Sequence, residues 1–302
     1  MPSKSLQTGF ASALLVALSL LIFGNLLATG ADVFVKIFSS SSGVYQYLFL
    51  RQATLFLLIA PFFFLQPQEK RRLTNTKVHV FRGVLTCIGG GCVVLALTTM
   101  TLAAANVVFY AAPVLTMLFA RIWLAEQLKT HRIICVVSCF IGVVVALRPE
   151  GFGLGAVAAF VAAICIAFYN LTVRFVDKEV SNTSVMFWGC VMSLPILAAA
   201  SIWQWQEASW SLLYLVVGST LCLAGYQLCS VLAYRNAEAG AITIAEYSGL
   251  LFAAALGWLW FDEKLDFALA MGIALIILPM MLHTRFESKQ SKRMVEADNT
   301  LV

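Results

Sequence analysis

Apolar residues occur along this chain in long, nearly unbroken runs, and short polar stretches separate one run from the next. A helix needs about 20 predominantly apolar residues to cross a bilayer. The first run is too long for the apolar core of a typical signal peptide, and further runs follow it. The pattern predicts ten transmembrane helices, over residues 10–31, 43–65, 78–99, 102–124, 131–148, 154–175, 183–203, 211–234, 239–261 and 267–284.

The basic residues give these predicted spans an orientation. If the N-terminus is cytoplasmic, sixteen of the 20 Lys and Arg residues fall in cytoplasmic segments and three fall outside, while Arg51 lies within a span. Cytoplasmic loops of membrane proteins carry such an excess of positive charge. We therefore predict an integral protein of the plasma (inner) membrane with both termini in the cytoplasm, including a charged tail over residues 285–302.

The chain also resembles itself at a shift of 137 residues. Spans four and nine then align, and the alignment pairs Tyr110 with Tyr247 and Glu126 with Glu263. Because the repeated unit holds five spans, an odd number, the second copy must enter the membrane from the opposite side. Inverted repeats of this kind underlie alternating access in many secondary transporters.

These patterns predict an all-α polytopic membrane protein built from two inverted five-helix repeats. The first repeat covers residues 1–148 and the second covers residues 149–284. No stretch between spans is long enough for a separate soluble domain.

The composition excludes the soluble alternatives. Charged residues make up 12% of the chain and hydrophobic residues 61%, whereas soluble domains usually carry about 25% charged residues. The net charge of +5 is explained by the cytoplasmic loops, so we do not expect nucleic-acid binding. Expected partners are a small-molecule solute and the lipid bilayer, and the protein could be a monomer or a homodimer.

Neither a metal site nor a cofactor is expected. The eight cysteines lie inside apolar runs without a Cys-x-x-Cys pair, and the three histidines lie at predicted helix ends. Buried cysteines of this kind usually serve as small apolar packing residues.

The end of span four carries a recognisable sequence, Arg121-Ile-Trp-Leu-Ala-Glu126-Gln-Leu, after Pro113. It resembles the end of the fourth helix in EamA-type carriers of the drug/metabolite transporter superfamily, and Arg51 is similar to an arginine common in their second helix. The resemblance covers about residues 10–284. It implies ten helices, a central cavity and transport of amino acids, nucleotide-linked metabolites, amines or drugs. One departure is Leu250, where such carriers often have a proline in the ninth helix.

Polar side chains within spans predict where a solute would bind, because polar groups that face lipid are costly. On span four, Asn106 and Tyr110 share a helical face, and on span nine Thr243 and Tyr247 share one. The repeat places these two stripes opposite each other. The candidate substrate-binding residues are Asn106, Tyr110, Thr243, Glu246, Tyr247, Arg51, Asn25, Asn170, Tyr226 and Gln227. Each could instead hold helices together.

Two charges, Arg51 and Glu246, are predicted to lie deep within spans, each about 12 Å from a helix end. An ionised Glu246 would hold a cationic or amino-bearing solute, and a protonated Glu246 would carry a proton during the transport cycle. Arg51 would suit the carboxylate of an amino-acid-like solute or a structural contact with helix carbonyls.

The leading hypothesis is a secondary active transporter of a small polar organic metabolite, such as an amino acid, an amine or a related solute, with efflux as one direction of transport. A solute gradient, exchange for a counter-solute or protons would drive it, because the sequence has no Walker motif for ATP. The alternatives are a membrane-embedded enzyme, for which no catalytic set is apparent, and a sensor that retains a carrier fold.

Overall fold

All the regular elements of the computed structural model are helices in the part of the chain that it describes, residues 4–38, 43–124, 130–147, 153–172, 175–177, 179–207, 209–236, 245–279 and 281. The main α-helices are α1 (Lys4–Ile37), α2 (Val44–Phe64), α3 (Thr76–Thr99), α4 (Leu102–Phe109), α5 (Ala112–Leu124), α6 (Thr130–Leu147), α7 (Leu154–Thr172), α8 (Asn182–Ser201), α9 (Trp210–Asn236), α10 (Ser248–Phe261) and α11 (Phe267–Pro279).

Seven stretches of helix are long and apolar enough to cross a membrane, within the described residues. They lie in α1, α2, α3, α7, α8 and α9 and in the pair α4–α5, and three shorter apolar helices are Val137–Leu147, Ser248–Phe261 and Phe267–Pro279. The protein is therefore an all-helical membrane protein, and the count of ten crossings stays a prediction. The predicted end of the first span at residue 31 is wrong, because α1 continues to Ile37.

Local sequence accounts for several helix boundaries. Thr101 precedes α4 and accepts a hydrogen bond from the Ala104 N–H at 3.3 Å, so the Thr-rich stretch that separates spans three and four acts as a cap. Ser181 caps α8 in the same way, through the Ser184 N–H at 3.1 Å. Asp266 Oδ1 accepts from the Leu269 N–H at 2.8 Å at the start of α11. Each cap satisfies a backbone donor that has no partner within the helix.

The helices pair across the two predicted repeats in a symmetric pattern. The most extensive contacts are α1 with α9, α3 with α7 and α2 with α8, and α4 also packs on α10. In the numbering of the predicted spans these pairs are one with eight, three with six, two with seven and four with nine. Exchanging the two repeats converts one–eight into six–three and leaves the other two pairs unchanged. The contact pattern is thus unchanged when the two predicted repeats are exchanged, and the inverted repeat itself stays a prediction.

Large apolar side chains are abundant on the outer surface. Leu57, Phe62, Leu65 and Ile122 are each more than 60% exposed. A soluble protein rarely exposes so much apolar area, whereas a bilayer covers it. Trp203, just after α8, and Trp210, at the start of α9, are more exposed still, at 91% and 88%, which is typical of an interfacial aromatic belt.

Candidate functional site between two broken helices

Span four is interrupted near its middle. Helix α4 ends at Phe109 and α5 begins at Ala112, so the chain is non-helical at Tyr110 and Ala111. Pro113 explains the break, since it has no N–H to donate to the carbonyl of Phe109 and its fixed φ suits the first turn of a new helix. The break leaves Tyr110 at a corner between two helical segments.

In the described part of span nine, from residue 245 on, the helix is interrupted at the equivalent residue. Tyr247 forms a turn immediately before α10, and it lies 137 positions after Tyr110. No proline is present, and the Leu250 N–H donates at 3.2 Å to the carbonyl of Tyr247, three residues before it. The absence of a proline at position 250 therefore does not prevent a break in this helix.

Side chains from other helices bind the carbonyl groups at the second break. Asn25 Nδ2 on α1 lies 2.8 Å from the Ala245 oxygen and 3.1 Å from the Glu246 oxygen. The Tyr110 hydroxyl donates to the same Glu246 oxygen at 3.2 Å. Backbone groups within a bilayer cannot turn to water, so such side-chain donors are what allows a broken helix. Asn25 and Tyr110 thus stabilise a helix break that forms without a proline.

The two tyrosines that the repeat pairs approach each other. The ring centroids of Tyr110 and Tyr247 are 6.1 Å apart, with the rings tilted by 44°. Gly249 makes this approach possible, because a Cβ at that position would lie 1.9 Å from the Tyr110 hydroxyl oxygen. Any larger residue at position 249 would displace the hydroxyl from the Glu246 carbonyl.

An acidic residue that was not among the predicted site residues lies close to the two tyrosines. Asn106 Nδ2 on α4 donates to Asp32 Oδ2 on α1 at 3.0 Å, and Arg51 on α2 interacts electrostatically with Asp32. Arg51 also lies over the Tyr47 ring, 5.8 Å from its centroid. Asp32 was not among the predicted site residues, because the first span was predicted to end at residue 31, although Asp32 follows Asn25 by seven residues and so shares its helical face.

The prediction that Arg51 and Glu246 are the only charges deep within spans is therefore wrong. Besides Asp32, Arg82 lies within α3 and is 3% exposed. Its Nη1 donates to the Tyr169 carbonyl at 3.0 Å and to Thr172 Oγ1 at 2.8 Å. Its guanidinium carbon also lies 3.7 Å from the Tyr169 ring centroid. A cation at the last carbonyls of a helix is favourable, so Arg82 fastens α3 to the end of α7.

Most of the predicted site residues surround Tyr110. Four side chains lie close enough to its hydroxyl to influence it electrostatically, namely Tyr226, Glu246, Asp32 and Tyr247. Asn25 and Asn106 form hydrogen bonds within the same group of helices. We call Asn25, Asp32, Asn106, Tyr110, Tyr226, Glu246 and Tyr247 the central cluster. Arg51 lies close enough to Asp32 to interact with it electrostatically. Within the described residues, no group of three or more His, Cys, Asp or Glu side chains is placed to hold a metal ion.

Two predicted residues stand apart from the central cluster. Asn170 and Gln227 are exposed, since each follows by one position, or about 100° of helical rotation, a tyrosine that points inward. Tyr169 packs against Arg82, and Tyr226 lies close enough to Glu246 to interact with it electrostatically. Thr243 lies outside the described residues.

The sequence profile of the EamA-like transporter family matches this chain twice, over residues 13–148 and 153–285. The chain belongs to the EamA-like transporter family. It is thus an integral membrane protein of a transporter family, in agreement with its long apolar helices. The broken fourth and ninth spans each lie within one of the two matched regions.

Known relatives of this EamA-like protein differ in what they are named for. An S-adenosylmethionine uptake transporter of Rickettsia felis is 28% identical over 267 residues, which cover 86% of this chain and 89% of that protein. A pseudopaline exporter of Pseudomonas aeruginosa is 23% identical over 286 residues, which cover 89% of this chain and 99% of the exporter. One is named for uptake and the other for export.

A solved crystal structure also resembles this EamA-like protein. The match has a TM-score of 0.58 at 20% sequence identity and covers 91% of this chain and 98% of the other. At this identity the likeness shows the fold alone.

The close approach at Gly249 is testable by a double-mutant cycle. We expect Gly249→Ala to lower the thermal stability of the purified protein, because the new methyl group must displace the Tyr110 hydroxyl from its hydrogen bond, a loss of about 1–3 kcal/mol. In a Tyr110→Phe background the same substitution should cost much less, since the nearest remaining ring atom lies 3.1 Å from that Cβ. Unfolding is followed by intrinsic fluorescence during heating.

Gly153→Ala is the control for this cycle, since a Cβ there would meet nothing within 4 Å. Equal costs of Gly249→Ala in the two backgrounds would contradict the proposed steric conflict.

Proposed function

We propose that this protein is a secondary transporter that moves a small organic solute by alternating access, with the central cluster as its solute site. The observation that carries the proposal is the pair of helix breaks at Tyr110 and Tyr247, which occupy equivalent positions in the two repeats and face each other. Discontinuous helices at the interface of inverted repeats bind solutes in many secondary transporters. The double match of the family profile and the symmetric helix pairing support the two-repeat architecture.

The chemistry of the central cluster favours a solute with an aromatic or cationic group. Three tyrosine side chains provide flat surfaces for stacking. When ionised, Asp32 and Glu246 carry two negative charges against the one positive charge of Arg51, which leaves an excess of one negative charge. A cation over a desolvated aromatic ring gains about 2 kcal/mol. We therefore propose a positively charged or zwitterionic organic solute.

Purified protein in liposomes provides the direct test of transport. S-adenosylmethionine is the first solute to try, since a relative is named for it and it combines an aromatic base with a positive charge. Adenosine serves as a neutral aromatic comparison and succinate as an anionic one. Saturable uptake of the cationic compound would support both the transport function and the solute class. Uptake of adenosine or succinate alone would support transport and overturn the class.

The orientation of the chain is tested with single cysteines in a variant that lacks the native ones. Glu207 and Lys70 are both exposed and lie in connections at opposite predicted faces. We expect Glu207→Cys to react with a membrane-impermeant thiol reagent added outside, and Lys70→Cys to react only after the membrane is opened, because positive loops stay in the cytoplasm. The reverse pattern would place both termini outside.

Removal of either facing tyrosine should weaken solute binding. We expect Tyr110→Ala and Tyr247→Ala each to raise the half-saturating concentration of a cationic solute up to about thirtyfold, which corresponds to the loss of about 2 kcal/mol. Tyr214→Ala is the matched control, because that tyrosine is 67% exposed. Initial uptake rates over a range of concentrations give the comparison, and unchanged values in both variants would place the site elsewhere.

Neutralisation of Glu246 separates two roles for its carboxyl group. If it anchors the solute, Glu246→Gln should lose affinity for cations under every driving force. If it carries a proton, the variant should lose accumulation driven by a pH gradient and keep solute exchange, since exchange needs no net proton movement. Exposed Glu207 provides the control substitution, Glu207→Gln. Wild-type affinity combined with wild-type pH dependence would exclude both roles.

A further inference from the structure

An ion pair joins the C-terminal ends of α1 and α10, close to the central cluster. Lys36 Nζ, in the last turn of α1, lies 3.0 Å from Glu263 Oε1, which follows α10. Both side chains are largely buried, at 13% and 12% exposure. Partial burial makes such a pair less sensitive to salt than a surface pair.

Each member of the pair also binds the connection between α3 and α4. Lys36 Nζ donates to the carbonyls of Leu97 and Met100, at the end of α3. Glu263 Oε2 accepts the N–H of Leu102, the first residue of α4, at 2.7 Å. A cation at a helix C-terminus and an anion at a helix N-terminus are both favourable. We call Lys36, Glu263 and the backbone of residues 97–102 the end clamp.

The chain after α10 is shaped to deliver the carboxylate. Asp262 adopts a left-handed conformation with φ of 50°, and the Glu263 N–H returns to the Gly257 carbonyl at 3.1 Å. Gly257 leaves the space that the carboxylate occupies, since a Cβ there would lie 2.5 Å from Glu263 Oε2. The end clamp is thus a built arrangement with a fixed geometry.

The end clamp lies one helical turn from the central cluster. Lys36 follows Asp32 by four residues on α1, and Leu102 precedes Asn106 by four residues on α4. Four residues of helix span about 6 Å, so the clamp lies directly beyond the Asp32–Asn106 hydrogen bond. It connects the ends of α1, α4 and α10, the helices that carry most of the cluster. A solute that reached the cluster from this end would have to pass between them.

We propose that the Lys36–Glu263 ion pair is a gate, closed in this structure, that must separate for a solute to reach the central cluster from the end of the molecule where α1 and α10 terminate. The proposal rests on the proposed transport function for its physiological meaning. The opening itself is a property of the structure, so it can be measured without any transported solute.

Accessibility of the cluster provides that measurement. Thr29 on α1 is 3% exposed and donates to the Gly249 carbonyl at 3.4 Å, so a cysteine there reports access to the cluster. In a variant without native cysteines, we expect Thr29→Cys to react at least tenfold faster with an impermeant thiol reagent when Glu263→Gln is added. A Lys36→Met variant should show the same increase. Unchanged reactivity in both would overturn the gate.

A reversible cross-link provides the complementary test. With Lys36→Cys and Glu263→Cys joined by a short bifunctional reagent that forms a disulfide with each thiol, we expect uptake into liposomes to fall at least tenfold and to recover when a reductant cleaves the disulfides. The matched control is Gln46→Cys with Gln206→Cys, at a contact between α2 and the loop before α9, where Gln46 Nε2 lies 2.7 Å from the Gln206 carbonyl. That cross-link should leave uptake unchanged.

The two experiments distinguish failure of the gate from failure of the transport function. Undiminished uptake by the cross-linked Lys36→Cys/Glu263→Cys protein would overturn the gate while the transport function stands. A protein that moves no solute in any form, yet labels faster at Thr29→Cys when the ion pair is removed, would keep the gate and contradict the transport function.

Discussion

The need of every backbone polar group for a hydrogen-bond partner within the bilayer constrains this structure more than any other interaction. An unbroken helix meets that need by itself, but a broken one does not. At Tyr247 the broken helix turns to Asn25 and Tyr110, whose side chains bind the carbonyls of Ala245 and Glu246. Because these donors come from α1 and from the first break, the interrupted fourth and ninth spans and α1 depend on one another.

That dependence places functional groups together as a by-product of backbone satisfaction. The bond from Tyr110 to Glu246 brings the two breaks into contact, and Gly249 is required for its geometry. Asn106 on the segment before the first break reaches Asp32, a carboxylate that would be costly within a bilayer if it had no partner. The same helices therefore carry both the polar contacts that stabilise the breaks and the charges proposed to bind a solute.

The ends of these helices are stabilised by electrostatics of another kind. Lys36 donates to carbonyls at the C-terminal end of α3, and Glu263 accepts an N–H at the N-terminal end of α4. The two side chains also form an ion pair with each other. An interaction that completes two helix termini and an ion pair at once is strong when formed and is lost as a unit when one helix moves. This all-or-none character is what a two-state gate needs.

The sequence by itself determined the membrane-protein class, the positions of most helices and the pairing of Tyr110 with Tyr247, because apolar run length and internal repetition are local or periodic properties. It did not reveal that α1 extends to Ile37, because an apolar run ends at Asp32 while a helix can continue past a carboxylate that has partners. The sequence also did not show that Asn170 and Gln227 are exposed, because exposure depends on which face of each helix packs against its neighbours. Only the tertiary structure decided that Asn25 would bind Ala245, 220 positions away, and that Lys36 would meet Glu263. Such contacts depend on which helices pack together, and helix packing in a bilayer is set by close fit and scattered polar bonds that leave no periodic pattern in the sequence.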